Sequence, residues 1–253
     1  MTPRLSVSDL AKAYDGLQVL DGLDLEVGKG EFVSLLGPSG AGKSTLFRLL
    51  TGGRPDRGTI RLDGAPIAEQ TAPFAFMPQR DALMDWRTII GNASLGLEIA
   101  GVPRHEARAR VAPLFAEFGL SGFQHHYPAQ LSGGMRQRAA LLRTIVMDRP
   151  MLLLDEPFGA LDALTRAGMQ RWLAAMWQRH RWTALLITHD VREAILLSDR
   201  IYLLSPRPAR VVAEIHVPLP RPRSQADLAT PEALRIEARL LDTLLDPSQG
   251  QIP

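Results

Sequence analysis

The chain of 253 residues contains no cysteine, which excludes disulfide bonds and metal sites with thiolate ligands. Lysine is scarce as well, because the 29 basic residues include lysine only at Lys12, Lys29 and Lys43. With 27 acidic residues the formal net charge is +2, so there is little reason to expect a nucleic acid partner. Lys43 therefore departs from the arginine that this chain otherwise uses.

Long apolar runs are also missing. The longest, WLAAMW at residues 172–177, is far shorter than the ~18 to 20 residues needed to cross a bilayer. The start, MTPRLSVSDL, has no apolar core of the kind that a secretory signal requires. We therefore expect a chain that does not cross a membrane alone and remains in the cytoplasm. Its apolar content of 45% is enough to bury a substantial core.

The chain does contain a glycine-rich stretch, GPSGAGKST, at residues 37–45. Residues 37–44 fit the pattern G-x-x-x-x-G-K-[ST], whose glycines allow backbone N–H groups to surround phosphate oxygens. A predicted strand precedes the stretch and a predicted helix follows it, which is the context that this pattern requires. Lys43 would then reach the β- and γ-phosphates, and the Ser44 hydroxyl would ligate Mg²⁺. This context disfavours a simple helix-capping turn.

A second motif, MLLLDE at residues 151–156, has four apolar residues followed by two carboxylates. This is the pattern of a buried strand that delivers acids to the carboxyl edge of a parallel sheet. Asp155 is placed to hold Mg²⁺ through water, and Glu156 to polarise an attacking water. Alone, such a run is a common strand end. The interpretation therefore depends on the glycine-rich stretch at residues 37–45, which we call the phosphate loop.

A third motif, LSGGMRQR at residues 131–138, places a serine and two glycines where a helical pattern begins. A helix N-terminus of this kind is suited to anions, although in isolation a glycine hinge would be the better explanation. His189, at the end of a predicted strand beyond the two carboxylates, is well placed to contact a γ-phosphate. A lone histidine is more often structural, so this role depends on the surrounding motifs.

The remaining patterns predict an α/β fold. Residues 1–36 read as strands and turns, residues 87–149 as mainly helical, and residues 151–189 as strand, helix and strand, which implies a parallel sheet. TIRLDGAPI predicts a hairpin that turns at Asp63-Gly64. Near the end, PRPRS predicts a small solvated arginine cluster in a linker, and residues 231–245 predict a final helix.

Together these motifs resemble the ATP-binding subunit of an ABC transporter. Residues 37–44 match the Walker A motif of that family, residues 131–134 its signature, residues 151–156 its Walker B motif, and Leu161-Asp162 its D-loop. The match covers about residues 5 to 215 in the order and spacing of the family.

The resemblance also implies roles for isolated residues. Tyr14 corresponds to the aromatic residue that stacks on adenine, Gln79 to the Q-loop glutamine and His189 to the switch histidine. The resemblance thus implies a nucleotide-binding set of Tyr14, Gly37, Pro38, Ser39, Gly40, Ala41, Gly42, Lys43, Ser44, Thr45, Ser132, Gly133, Gly134 and Asp162. The catalytic set is Glu156, His189, Lys43 and Gln79, and the candidate magnesium ligands are Ser44, Gln79 and Asp155.

The fold that the resemblance implies is the P-loop NTPase fold of ABC ATPases. It has a mainly parallel central sheet, an N-terminal antiparallel β subdomain and an inserted helical subdomain. The whole chain would be one ABC ATPase domain, with the nucleotide-binding core and β subdomain at residues 1–86 and 150–215. The helical subdomain would occupy residues 87–149, and a linker and helix residues 216–253.

The function that the resemblance implies is that of an ATP-hydrolysing subunit, using ATP and Mg²⁺, that energises a membrane transporter. Two copies would pair head to tail, with each nucleotide between the Walker A motif of one copy and the signature of the other. Transmembrane permease subunits, and indirectly a solute-binding protein, would be partners at the cytoplasmic face of the cell membrane. PFGALDALTR and LSGGMRQR look most like importers of nitrate, sulfonates, taurine and the thiamine pyrimidine precursor.

In the family, the segment after Gln79 grips a coupling helix of the membrane subunit. Here it contains Leu83, Met84 and Trp86, which are either part of that surface or loop anchors folded into the core. Asp85 stands where these importers often have proline.

Three alternatives are compatible with these motifs. The first is an ABC exporter ATPase. The second is a soluble signature-bearing ATPase of translation or chromosomes, which the single cassette and the short separation of the Walker motifs disfavour. The third is a regulatory module that no longer hydrolyses ATP, which the complete set of catalytic side chains disfavours.

Overall fold

The computed structural model describes residues 2–245, which form two compact units. Unit 1 contains residues 2–74 and 170–245, and unit 2 contains residues 75–169. The chain divides between these units after residues 74 and 169, whereas the predicted helical subdomain occupies residues 87–149. The predicted subdomain assignment stays a prediction. Residues 246–253, which that assignment places in the C-terminal segment, lie outside the described residues.

The described elements alternate between strands and helices along much of the chain. The strands are β1 (Leu5–Tyr14), β2 (Leu17–Val27), β3 (Phe32–Leu36), β4 (Arg57–Leu62), β5 (Ala65–Pro66), β6 (Phe74–Met77), β7 (Met151–Asp155), β8 (Ala184–Ile187), β9 (Arg200–Leu204) and β10 (Val211–His216). The helices are α1 (Lys43–Leu50), α2 (Ile89–Ala93), α3 (Leu95–Ile99), α4 (Arg104–Val111), α5 (Leu114–Glu117), α6 (Gly133–Ile145), α7 (Ala163–His180), α8 (Val191–Leu197) and α9 (Pro231–Leu245).

Unit 1 has an antiparallel sheet in the order β2-β1-β4-β5. Leu5 is central to it, because it pairs with Val27 on one side and Leu62 on the other. The predicted hairpin joins β4 to β5 at Asp63-Gly64, and both turn residues have positive φ, 50° and 81°. This is the backbone of a two-residue hairpin turn, so the prediction from the Asp-Gly pair is confirmed.

The second set of strands in unit 1 is mainly parallel. The completely buried strand β3 pairs in parallel with β8 and with β9, and β10 runs antiparallel to β9. Carboxyl ends of parallel strands lie at one edge of a sheet. The segments after β3, β8 and β9 therefore all start at the same edge, which positions the candidate site in this unit.

The arginines of PRPRS are not a solvated cluster, so that prediction is wrong. The Arg221 guanidinium lies 4.0 Å from the ring centre of Trp177 and 2.9 Å from a carboxylate oxygen of Asp199. Arg223 is only 5% exposed and donates hydrogen bonds to the carbonyl oxygens of Ile195, Ser198, Val217 and Leu219. Carbonyls at the end of a helix lack partners within the helix, and Arg223 satisfies those at the end of α8.

Unit 2 is built around α6, against which α2 packs, while α4 packs on α2. Its apolar core includes Ile89, Ala93, Ala107, Val111, Phe115, Phe118, Ala139 and Leu142. Strand β7 lies beside β6, and its four apolar residues are buried up to Asp155. None of the helices within residues 2–245 is long and apolar enough to span a membrane.

Candidate active site

The phosphate loop of unit 1 joins the end of β3 to the start of α1, as the sequence predicts. Gly42 has a φ of 116°, and a Cβ atom there would lie 2.8 Å from Cδ2 of Leu20. Backbone conformation and space therefore both require glycine at this position. The first N–H groups of α1 have no partner within the helix, so its positive end adds to the attraction for an anion.

Lys43 is the charged residue of this loop, and it is only 6% exposed. Its Nζ atom donates hydrogen bonds to the carbonyl oxygens of Gly37, at 2.7 Å, and Pro38, at 2.9 Å. The ammonium is thus held against the loop backbone and shielded from water, where its interaction with a phosphate is stronger than in bulk solvent. Ser44, in the first turn of α1, is exposed.

His189 lies at the same edge of the sheet as the phosphate loop. It follows β8, and Ile187 of β8 pairs with Leu35 of β3. The N–H group of the intervening Thr188 donates to the Leu35 carbonyl oxygen at 3.3 Å. The His189 side chain is exposed. The structure therefore brings together two parts of the predicted site that are far apart in the chain.

Tyr14 ends β1 and lies beside α1, the helix that follows the phosphate loop. The centre of its ring is 5.8 Å from Cζ of Arg48 on that helix and 5.3 Å from Nζ of Lys12. Cations at these distances interact favourably with an aromatic face. The predicted adenine-stacking residue is thus close to the loop helix, and its exposure is intermediate.

In unit 2, Gln79 and Glu156 are joined directly. The amide Nε2 of Gln79 donates a hydrogen bond of 3.1 Å to Oε2 of Glu156. Glu156 directly follows Asp155, the last residue of β7, and both are partly buried. The predicted Q-loop residue therefore orients the side chain that is the predicted water-activating carboxylate.

The signature and the D-loop are neighbours in unit 2. Ser132 caps α6, because its Oγ accepts a hydrogen bond from the Met135 N–H group at 3.3 Å. Asp162 accepts a hydrogen bond from the Thr165 N–H group at 3.0 Å, and the methyl group of Thr165 packs against Gly134. Hydrogen bonds from Thr165 hold the pKa of Asp162 below its usual range. The bond from the Thr165 side chain contributes most, and the bond from the Thr165 N–H group contributes next.

Two polar residues for which the sequence predicted no role, Asn92 and Arg143, hold the segment after Gln79. The fully buried Asn92 accepts from the Met84 N–H group at 2.7 Å and donates to the carbonyl oxygens of Met84, Arg87 and Thr88. Arg143 of α6 donates to the carbonyl oxygens of Asp81 and Ala82. The one available signal was an asparagine within the mainly apolar stretch IIGNASL.

The apolar residues of this segment were predicted to be either part of a binding surface or loop anchors in the core. Each interpretation holds for a different residue. Leu83 is 8% exposed and is therefore a loop anchor, whereas Trp86 is 77% exposed and is available at the surface. Met84 is intermediate.

A glycine-rich loop between a parallel strand and a helix, with a buried lysine beneath its backbone, defines the class of P-loop nucleotide-binding proteins. Residues 20–159 match the ABC transporter family. The chain is 44% identical to the formylaminopyrimidine import ATP-binding protein ThiZ of Halalkalibacterium halodurans, over 85% of this chain and 84% of that protein. It is 42% identical to the taurine import ATP-binding protein TauB of Yersinia pestis, over 83% of each chain.

A further relative is an uncharacterized ABC transporter ATP-binding protein of Methanocaldococcus jannaschii, 40% identical over 97% of this chain and 93% of that protein. Among solved structures, a dimeric post-hydrolysis state of the ATP-binding cassette MJ0796 bound to ADP and Pi gives a TM-score of 0.72 at 26% identity. That likeness covers 84% of this chain and 98% of the cassette.

The chain belongs to the ABC transporter family. The predicted ABC ATPase fold, the use of ATP and the role as the ATP-hydrolysing subunit of a transporter are confirmed.

Proposed function

We propose that this chain powers an importer of a small organic or inorganic anion, or of a solute like a thiamine precursor, from the cytoplasmic face of the cell membrane. The names of the taurine and formylaminopyrimidine relatives support the import direction and the solute class. The observation that carries the proposal is the hydrogen bond between Gln79 and Glu156. It links the water-activating carboxylate to the segment that exposes Trp86.

Two copies pair head to tail in this proposal, and the dimeric state of the similar cassette structures supports the pairing of two copies. The N–H groups of the phosphate loop and Lys43 bind the nucleotide phosphates, and Tyr14 stacks on adenine. Ser132 and Gly134 of the second copy, together with His189, complete the enclosure of the γ-phosphate. Asp162 of the D-loop accepts a hydrogen bond from the Thr165 N–H group, and the Thr165 methyl group packs against Gly134. In this way Asp162 supports the signature.

The chemistry of the three candidate magnesium ligands suits Mg²⁺. Mg²⁺ prefers oxygen ligands, and Ser44, Gln79 and Asp155 provide a hydroxyl, an amide and a carboxylate. Bound there, the ion would neutralise negative charge on the nucleotide phosphates. Asp155 would hold it at the end of β7, and Ser44 in the exposed first turn of α1.

Glu156 performs the proton transfer in this proposal. Its carboxylate, oriented by Gln79, accepts a proton from the water that attacks the γ-phosphate. Lys43 and the loop N–H groups stabilise the charge that develops on the phosphate oxygens. ATP binding closes the two copies, and cleavage to ADP and phosphate releases them, which moves the membrane subunits between their two access states.

The test is reconstitution of the chain with its permease subunits and solute-binding protein in liposomes. We expect ATPase activity that rises when the loaded solute-binding protein is added, and solute uptake that stops with Glu156→Gln. The same assay distinguishes the alternative of a soluble ATPase. Activity that no permease affects, and that nucleic acid stimulates instead, would contradict the transport proposal.

A further inference from the structure

The turn that joins β9 to β10, residues 205–210, lies against the phosphate loop. A Cβ atom at Gly40 would be 3.0 Å from Nη2 of Arg207, so the guanidinium packs directly on the loop backbone. Gly40 has a φ of 77°, in the region that favours glycine. Glycine at this position therefore both forms the loop and leaves room for Arg207.

The backbone of the turn is fixed relative to the loop. The Ala209 N–H group donates to the Val19 carbonyl oxygen at 2.9 Å, and the Asp21 N–H group donates to the Ala209 carbonyl oxygen at 3.2 Å. These bonds tie the turn to β2, and Leu20 of β2 packs against Gly42 of the phosphate loop. Backbone contacts of the neighbouring Ala209, and not contacts of the Arg207 side chain, therefore place Arg207 beside the loop.

The side chain of Arg207 is exposed, and no hydrogen bond or ion pair joins it to another residue within the described residues 2–245. Arg210, three positions later in the same turn, differs because its guanidinium is paired with Asp21. An arginine that is held against a phosphate-binding loop without a carboxylate partner retains its donors for a ligand. The planar guanidinium suits two oxygens of one phosphate group.

We propose that Arg207 is a second phosphate-binding cation of this site and pairs with the terminal phosphates of the nucleotide on the loop. The inference rests on the proposed function, because it concerns the same nucleotide. Lys43 is buried beneath the loop, and Arg207 approaches the backbone at Gly40 from the exposed turn. The two cations together surround the phosphates with positive charge from residues in different parts of the chain.

The experiment measures the equilibrium affinity of the full-length chain for ATP, ADP and AMP by calorimetry with EDTA present, which prevents turnover. For Arg207→Ala we expect ATP and ADP affinity to fall about 10-fold, because charge-assisted hydrogen bonds to phosphate are lost. Affinity for AMP should remain within about 2-fold of wild type, since its single phosphate lacks the terminal groups. Arg207→Lys should recover part of the loss.

The matched control is Arg210→Ala, which removes the same charge from the same turn. We expect it to leave nucleotide affinity unchanged, because Arg210 already pairs with Asp21. Wild-type ATP affinity in Arg207→Ala would overturn the inference, and so would an equal loss in Arg210→Ala. A loss that occurs only at protein concentrations where two copies associate would also overturn it, because Arg207 would then contact the second copy.

Failure of the inference can be distinguished from failure of the proposed function. If Lys43→Ala loses ATP affinity while Arg207→Ala retains it, the nucleotide site stands and only the role of Arg207 is refuted. If wild-type protein does not bind ATP, the proposed function itself is refuted. Thermal unfolding of each variant shows whether a lost affinity results from misfolding.

Discussion

At the scale of the residue, Glu156 combines an unusual backbone with an oriented side chain. Its φ of 42° lies in the left-handed region, which costs a residue other than glycine about 1 kcal/mol or more. Such a conformation persists where the surroundings require it, and it is typical of functional sites. The hydrogen bond from Gln79 holds the carboxylate at the same position. Both features support Glu156 as the residue that activates water.

Replacing Glu156 with glutamine should separate binding from chemistry. The amide retains the shape of the side chain but cannot accept the proton, so turnover should fall by a factor on the order of 10² to 10⁴. ATP affinity should stay close to that of wild type. Single-turnover ATPase assays and equilibrium binding measure the two quantities, and turnover at the wild-type rate would refute Glu156 as the base.

Replacing Lys43 with alanine should weaken the nucleotide site itself. The loss of a buried ammonium next to the phosphates should lower ATP affinity by about 10-fold or more, because charged hydrogen bonds contribute about 1.5 to 3 kcal/mol. Lys29→Ala, in the turn before β3, is the matched control and should bind ATP normally. Equal affinity in the two variants would count against the phosphate role of Lys43.

At the scale of the element, the C-terminal end of α8 and the segment that follows β10 are both held by one buried cation, Arg223. Arg223 donates to carbonyl oxygens from the end of α8 and from the segment after β10. Burial lowers its pKa to about 10, which still leaves it charged at neutral pH. A buried charge is stable only when hydrogen bonds compensate for the lost hydration, and here several carbonyls do so.

Arg223→Ala should therefore lower the free energy of unfolding by about 3 to 5 kcal/mol, because it leaves several buried carbonyl oxygens without a donor. For a chain of this size, each 1 kcal/mol shifts the melting temperature by roughly 2 to 4 °C. Thermal denaturation should show this decrease for Arg223→Ala. Arg239→Ala, at an exposed position of α9, should melt within about 2 °C of wild type. Identical melting of both variants would show that Arg223 is not a structural residue.

At the scale of the whole molecule, the proposal requires a surface for the membrane subunit. In the proposed function this surface is the segment of unit 2 after Gln79, where Leu83 and Asn92 anchor the backbone and Trp86 is exposed. A large aromatic side chain on a fixed backbone is the kind of residue that dominates binding at protein interfaces. This surface is also connected to Glu156 through Gln79.

Trp86→Ala should leave folding and basal ATP binding intact but weaken assembly with the permease by about 30-fold, which corresponds to a loss of about 2 kcal/mol. Leu17→Ala, which removes an exposed apolar side chain from unit 1, serves as the control. Co-purification from detergent measures the assembly. If Trp86→Ala and wild type recover the same amount of permease, the membrane subunit binds elsewhere.

Local sequence pattern was sufficient for the strand, loop and helix around Lys43, for the hairpin at Asp63-Gly64 and for the final helix. Each depends on turn chemistry or hydrophobic period within a few residues, and short-range backbone preferences settle such features. The order of the motifs was also sufficient to assign the family.

The fate of individual side chains was different, because it depends on which distant segments pack together. The composition of PRPRS resembles a solvated linker, yet Arg223 is buried among the carbonyls of α8. Leu83 and Trp86 are both large and apolar, but only Leu83 found a place in the core. Arg207 is 167 positions after Gly40 in the chain and became its neighbour because β3 and β9 pair in parallel. Sequence pattern thus specified the phosphate loop, whereas long-range strand pairing and packing decided which side chains surround it.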